Sequence, residues 1–285
     1  MESRESVRAW APLDEGRLQR ELVGSGVCSR VVRVDSTGST TADLVEAARR
    51  EDFAQQWPHA SVLTSEEQTA GAGRTGRAWA SPRGASLSTS VVLRPSLPAS
   101  QRHWLSLVSG LALVQTLDED YGLDASLKWP NDVLIGAARD EPGRKIAGSA
   151  AVAPPGARDA VIVGCGINVL LGEEDLPTET AASLLLESRA PLSDDVRTDL
   201  LIAWLSRFQR LSALSERAGD IAPVRPMIVE RISTIGQQVR VHLPGEERVM
   251  GTAVRVEEDG ALTVETAQGP RSFYAGDVVH LRRDT

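Results

Sequence analysis

The stretch DAVIVGCGINV (159–169) limits how this chain can fold more than any other. Between Asp159 and Asn168 it offers no charged or amide side chain. A strand this apolar belongs in the middle of a sheet, with cover on both faces. KIAGSAAVA (145–153) reads as its neighbour, joined to the preceding strand by the turn ARDEPGR (138–144). Further strands are expected at RVVRVDS (30–36), ASVLTSEE (60–67) and ASLSTSVVLRP (85–95), and as two short strands broken at Pro130-Asn131 in ASLKWPNDVLIG (125–136).

Helical periods alternate with these strands. Ser39 or Thr40 caps a helix carrying Leu44, Val45, Ala47 and Ala48. Trp104, Leu107, Val108 and Leu111 recur at helical spacing, as do Val196, Leu200, Leu201, Trp204, Leu205, Phe208 and Leu211. A short helix is expected in DEGRLQRELV (14–23). From about residue 236 the pattern changes to short alternating segments separated by Pro-Gly, Asp-Gly and Gln-Gly-Pro turns, which suggests a small β-barrel. The expected fold is α+β, a mixed central sheet with flanking helices, followed by that barrel. The expected parts are an N-terminal extension (1–30), a larger domain (31–232) and the C-terminal domain (233–285).

Composition narrows the function. A net charge of −8 argues against a general nucleic-acid binder, whose footprint is usually basic. Cys28 and Cys165 lie far apart and make neither a disulfide framework nor a zinc spacing, and the four histidines are scattered. No apolar run reaches the roughly 18 residues that a membrane helix needs. A reduced, cytoplasmic setting is the expectation.

Gly71-Ala72-Gly73-Arg74-Thr75-Gly76 matches the letters of a dinucleotide fingerprint. The chemistry of that motif needs a helix opening on the glycines, so that its N-terminus binds the pyrophosphate. Here AWASPRGAS follows, with Pro82 and Gly84, and then a strand. A P-loop fails as well, because Arg77-Ala78 stands where Lys and a hydroxyl residue are required. What remains is a loop of small residues that lets a ligand approach the backbone, with the Arg74 and Arg77 guanidinium groups suited to carboxylate or phosphate oxygens. It has company. Lys128, Asn131 and Asp132 in KWPND, Lys145 in GRK and Asn168 in GCGIN all fall at strand ends or in adjoining loops. Lys128 suits a phosphate and Asp132 a hard cation.

In these motifs, STT (39–41), EEQTAGAGRTGRAWASPRGASLSTSVVLRP, LKWPNDVLI, GRKIAGSAAV, VGCGINV and the terminal GDVVHLR, the chain resembles the catalytic and C-terminal domains of bacterial biotin protein ligases, over about residues 31–284. The resemblance implies a catalytic domain like that of class II aminoacyl-tRNA synthetases and biotin ligases, with an SH3-like C-terminal barrel. It implies activation of biotin by ATP, with Mg²⁺, to biotinyl-5′-adenylate and pyrophosphate. The biotinyl group then passes to a lysine of the biotin carboxyl carrier domain of a carboxylase.

The site residues follow from the same resemblance. Ser39, Thr40, Thr41 and Gln68 would face the biotin ring, with Ala72, Gly73 and Arg74 in a loop closing over it and Gly148 leaving room beside it. Lys145 would meet the carboxylate or the α-phosphate. Arg74, Arg77, Trp79, Lys128, Asn131 and Asn168 would serve ATP, and Asp132 the metal. Arg74, Lys128 and Lys145 are the expected catalytic cations.

Some positions depart from the family pattern. Ala72 stands where an arginine is usual, and Thr41 where an asparagine is usual. Ser149-Ala150 replaces a bulkier pair, which is expected to loosen packing near the ring. Only about 30 residues precede the first strand, so no DNA binding is expected, and the protein would act as a monomer or weak homodimer. A lipoate or octanoate ligase, and a non-catalytic biotin-binding protein, are the alternatives.

Overall fold

A computed structural model of the chain describes residues 10–73, 78–79, 81–138, 141–243, 248–274 and 277–280. Its centre is a seven-stranded sheet in the order β1-β2-β3-β7-β6-β5-β4. The strands are β1 (Arg30–Val34), β2 (Ser61–Ser65), β3 (Ser86–Leu93), β4 (Ala125–Lys128), β5 (Asp132–Ala138), β6 (Glu141–Val152) and β7 (Val161–Asn168). Only β1 and β2 run parallel, and every other neighbouring pair is antiparallel. The apolar strand β7 holds the middle place, as its composition demands.

Two long helices cover one face. They are α4 (Trp104–Tyr121) and, after the short α5 (Leu184–Glu187), α6 (Val196–Ala218); each long helix is stopped by a glycine in the left-handed conformation, Gly122 and Gly219. Trp104, Trp204 and Phe208 are wholly buried in the core that these helices form with Val163, Cys165 and Ile167 of β7. Burying each leucine of α4 contributes about 1.5–3 kcal/mol. The first described residues join this core. After α1 (Glu15–Leu18) and the π-helical turn that follows it, Leu13, Leu18, Leu22 and Cys28 are all buried there.

The other face is covered only in part. Helix α2 (Thr40–Ala47) starts on the Ser39 cap, whose side chain accepts from Ala42 N, and α3 (Phe53–Gln56) follows. Leu44, Ala48 and Phe53 close a small second core over Leu63, Val92 and Ile162. The C-terminal strands β8 (Gln238–His242), β9 (Arg248–Val256), β10 (Leu262–Thr266), β11 (Gly269–Phe273) and β12 (Asp277–His280) make a separate antiparallel sheet in the order β11-β10-β9-β8-β12.

Candidate active site

The site begins with the alternation of β7. Val161, Val163, Cys165 and Ile167 face α4, so Ile162, Gly164, Gly166 and Asn168 face the α2 side. Ile162 is covered by the second core, and beyond it this face of the strand carries no side chain larger than hydrogen until Asn168. Gly166 is paired with Ser88 of β3 and with Gly148 of β6, and Gly148 is paired with Asp132 of β5. One row across four strands thus carries Ser, Gly, Gly and Asp, which leaves a shallow trough. The next row, Ser90, Gly164 and Ala150, continues it.

One end of the trough is a wall of neutral polar groups. The Gln68 side-chain carbonyl accepts from Thr40 N at 3.0 Å and lies 3.3 Å from Thr40 Oγ1. Thr40 Oγ1 meets Ser90 Oγ at 2.8 Å, and Thr41 Oγ1 meets the same Ser90 oxygen at 2.9 Å. Thr41 hangs directly over Gly164, where a β-carbon would stand 2.3 Å from its hydroxyl. These groups are held before any ligand arrives, by the first turn of α2 and by β3.

The other end is charged. Lys145 Nζ lies 2.6 Å from Asp132 Oδ1 and 5.4 Å from the centre of the Trp79 ring. In a regular strand Lys145 and Gly148, three residues apart, would face opposite sides. A bulge at Ile146, where Val133 pairs with Ala147 and Leu134 with Lys145, brings the lysine back to the trough side. Its backbone is fixed by Lys145 N donating to Thr180 O and Ala182 N donating to Lys145 O, both 2.7 Å. Gly148 leaves room here, since a β-carbon would crowd Lys145 Nζ at 3.3 Å.

The Trp79 indole lies flat on the middle of the trough, its ring 2.5 Å from where a Gly166 β-carbon would be, and its buried Nε1 has no acceptor. Asn131 donates from Nδ2 to Ser149 O at 2.8 Å, and Ser149 N donates to Asn131 O at 2.9 Å, so the KWPND turn is bonded to β6. Asn168 is on the trough face but buried, and its Nδ2 donates to Ala182 O, which ties the 180–183 segment to the sheet. Ser149 pairs with Cys165 and so faces the α4 side. Only Ala150 of the pair expected to loosen the ring's surroundings shares the trough face. Ala72 and Gly73 are exposed at the loop's edge, with Ala72 bridged to Ala78. Arg74 and Arg77 lie outside the described residues.

The C-terminal sheet reaches this site from behind. Trp129 Nε1 donates to Gly260 O at 3.0 Å, Trp104 Nε1 donates to Glu258 O at 3.2 Å, and Trp129 N donates to Thr234 Oγ1 at 3.1 Å. His280 Nε2 is 3.1 Å from the same Thr234 hydroxyl. Burial, and then the charge of Lys128, push the His280 imidazole down to about 4.

A model of the biotin/lipoate A/B protein ligase family matches residues 33–168, and one of the biotin protein ligase C-terminal domain matches residues 234–281. The biotin--[acetyl-CoA-carboxylase] ligase of Mycobacterium tuberculosis is 37% identical over 279 residues, which is 95% of this chain and 97% of that protein. The chain belongs to the biotin protein ligase family. The like-named ligase of Paracoccus denitrificans is 31% identical, covering 76% of this chain and 88% of its own. Among solved structures, the biotin protein ligase of Aquifex aeolicus in complex with biotin and ATP superimposes with a TM-score of 0.70 at 25% identity, over 89% of this chain and 99% of that one. The mixed sheet and C-terminal β-sheet are those of the biotin protein ligases.

Two parts of this biotin protein ligase escaped the sequence reading. Ser90 joins Thr40 to Thr41. Its signal was the spacing Ser86, Ser88, Ser90, a polar stripe on one face of a strand whose eight residues are all buried. The second is Glu66, buried at the root of the glycine-rich loop with Arg197 at 2.6 Å. No local pattern signals a pair so far apart in sequence. Burial pushes the Cys28 and Cys165 thiols up to about 12, and Cys165 faces away from the trough.

Proposed function

We propose that the trough binds biotin with its ureido ring at the Thr40, Thr41, Gln68 and Ser90 wall and its carboxylate at Lys145. The chain is an ATP-dependent biotin protein ligase. The observation that carries the residue assignment is the layout of the trough, with fixed neutral donors and acceptors at one end, a glycine floor under the Trp79 indole, and one lysine at the other end. A cyclic urea needs donors and acceptors together, and hydroxyls and an amide supply both. A lipoyl or octanoyl chain would bring that wall no donor or acceptor to bond, so the wall would do nothing to select it.

The reaction divides into two displacements. A carboxylate oxygen of biotin attacks the α-phosphorus of ATP, a P–O bond forms, and the bond to pyrophosphate breaks. The amine of an acceptor lysine then attacks the acyl carbon, loses a proton, and releases AMP. Neither step needs a nucleophile from the enzyme, which accords with buried, protonated cysteines. The protein's part is to align the reactants and to offset charge on the phosphoryl oxygens. Lys145 serves the reacting carboxylate and α-phosphate, and Lys128 serves the phosphates from the KWPND turn. Arg74 and Arg77 serve them from the loop.

Mg²⁺ enters such sites with ATP and is held by one or two carboxylates plus the phosphates. Asp132 fits, because its Oδ1 meets Lys145 while its second oxygen has capacity to spare. The metal would neutralise phosphate charge there.

The acceptor is a biotin carboxyl carrier domain. The test is incorporation of labelled biotin into such a domain by the purified chain with ATP and Mg²⁺. Label is expected on the intact domain and absent when its acceptor lysine is replaced by arginine. Equal labelling of an unrelated lysine-rich protein would refute a dedicated acceptor.

A further inference from the structure

The loop that carries Gln68 and Trp79 to the trough leaves the sheet at Glu66 and returns at Gly84. The neck is closed by Gly84 N donating to Glu66 O at 2.9 Å, with Gly84 in a left-handed turn (φ 71°). The Glu66 side chain turns the opposite way, into the protein, and is 3% exposed. There it meets three separate elements. Leu13 N donates to its Oε1 at 2.7 Å, Arg33 Nε of β1 is 3.2 Å from the same oxygen, and Arg197 Nη2 of α6 is 2.6 Å from Oε2.

Arg197, itself 2% exposed, also donates from Nη2 to Ala11 O at 3.1 Å. The segment 11–14 is tied to α6 once more by Asp14 N donating to Thr198 Oγ1 at 3.1 Å, and Arg17 pairs with Asp199 at 2.8 Å. A buried carboxylate is costly unless paired and hydrogen-bonded. All its partners here lie outside the loop. Within the loop, Gln68 follows Glu66 by two residues and carries the carbonyl that fixes the polar wall to Thr40.

We propose that Glu66 and Arg197 are positioning residues for biotin. Through them the N-terminal segment 11–14 and the first turn of α6 hold the neck of that loop, so that Gln68 and Trp79 stand at their working places over the trough. Residues 11–14 and 197 lie outside the stretches matched by the family models, so this support comes from parts of the chain beyond the matched catalytic segment. The inference rests on the trough being the biotin site.

The experiment compares Glu66→Gln and Arg197→Lys with wild type in the full chain. Glu66→Gln keeps an acceptor for Leu13 N and loses the charge. Arg197→Lys keeps the charge and loses the guanidinium Nη2 that serves Glu66 and Ala11 together. Arg207→Ala is the control, since Arg207 pairs with Glu119 and Asp120 farther along α6. The readouts are the KM for biotin, kcat per active site, and the time that preformed biotinyl-adenylate stays bound in a chase.

Both neck variants are expected to raise the biotin KM roughly tenfold or more and to shorten adenylate retention in step. Arg207→Ala is expected to lower the melting temperature without moving either. Folded neck variants with wild-type KM and retention would overturn the proposal. So would an Arg207→Ala shift of equal size, which would mean that any weakening of α6 suffices. If neither neck variant folds, the clamp serves folding alone and the proposal is wrong. A wild-type chain with no biotin-dependent turnover would instead refute the reading of the trough.

Discussion

Lys145 Nζ and Asp132 Oδ1 meet at 2.6 Å beside Gly148, which stands in register with Gly166 of the next strand. The pair is partly exposed, so it adds little to stability, about 0–1 kcal/mol. Under the proposed function its value is in chemistry. Lys145→Met is expected to leave the melting temperature nearly unchanged and to slow adenylate formation by roughly 10²–10³. A rapid-quench assay of AMP transfer to biotin measures this. A wild-type rate in that variant would remove Lys145 from the catalytic set.

The glycine floor gives a second test. Gly166→Ala would put a β-carbon 2.5 Å from the Trp79 indole and into the trough, with no backbone strain, since Gly166 is in regular strand pairing. The variant is expected to fold and to bind biotin at least about tenfold more weakly, or 1.4 kcal/mol. Titration calorimetry measures the difference. Wild-type affinity would mean that biotin does not lie over Gly166.

The rear contact of the C-terminal sheet is a third. Trp129→Phe keeps an aromatic ring, smaller than the indole, and removes the N–H that Gly260 O accepts in a buried setting. Unfolding free energy is expected to fall by about 1–3 kcal/mol in a urea titration. Because Trp129 follows Lys128 directly, the KM for ATP is expected to rise as well. A loss of stability with an unchanged ATP KM would separate the contact from the phosphate site.

Acid should weaken the fold in two stages. The His280 imidazole is held at about 4 by burial and the charge of Lys128, against an ordinary 6.5. The unfolded chain therefore takes up this proton first, and stability drops as pH falls from about 6.5 towards 4. Glu66 sits below its ordinary 4.5, despite burial that acts to raise it, because Leu13 N, Arg197 and Arg33 stabilise the carboxylate. Its contribution is present above 4.5 and is lost as pH falls further. Thermal melts across this range should show both losses, and His280→Gln should flatten the upper one. An unchanged slope in that variant would contradict the assignment.

Much of the architecture was legible because it is local or periodic. The composition of β7 fixed its central place, Ser39 marked the start of α2, and the turn residues after 236 announced short strands. The site was legible as a set of motifs but not as a geometry. Lys145 and Gly148 share a face only through a bulge, and Ser149 lies on the opposite face for the same reason. Asn168, assigned to the nucleotide by resemblance, has its amide bonded to Ala182. Ser90 and the Glu66–Arg197 clamp depend on strands and helices meeting across the fold, which no local pattern records.

The central claim is that this trough activates biotin. The most direct measurement is exchange of labelled pyrophosphate into ATP by the purified chain with Mg²⁺, with biotin, lipoate or octanoate added separately. Exchange with biotin alone is predicted, and its loss in Lys145→Met would tie it to the trough. Exchange with lipoate or octanoate but not biotin would contradict the assignment of the polar wall. No exchange with any of the three would contradict the account as a whole.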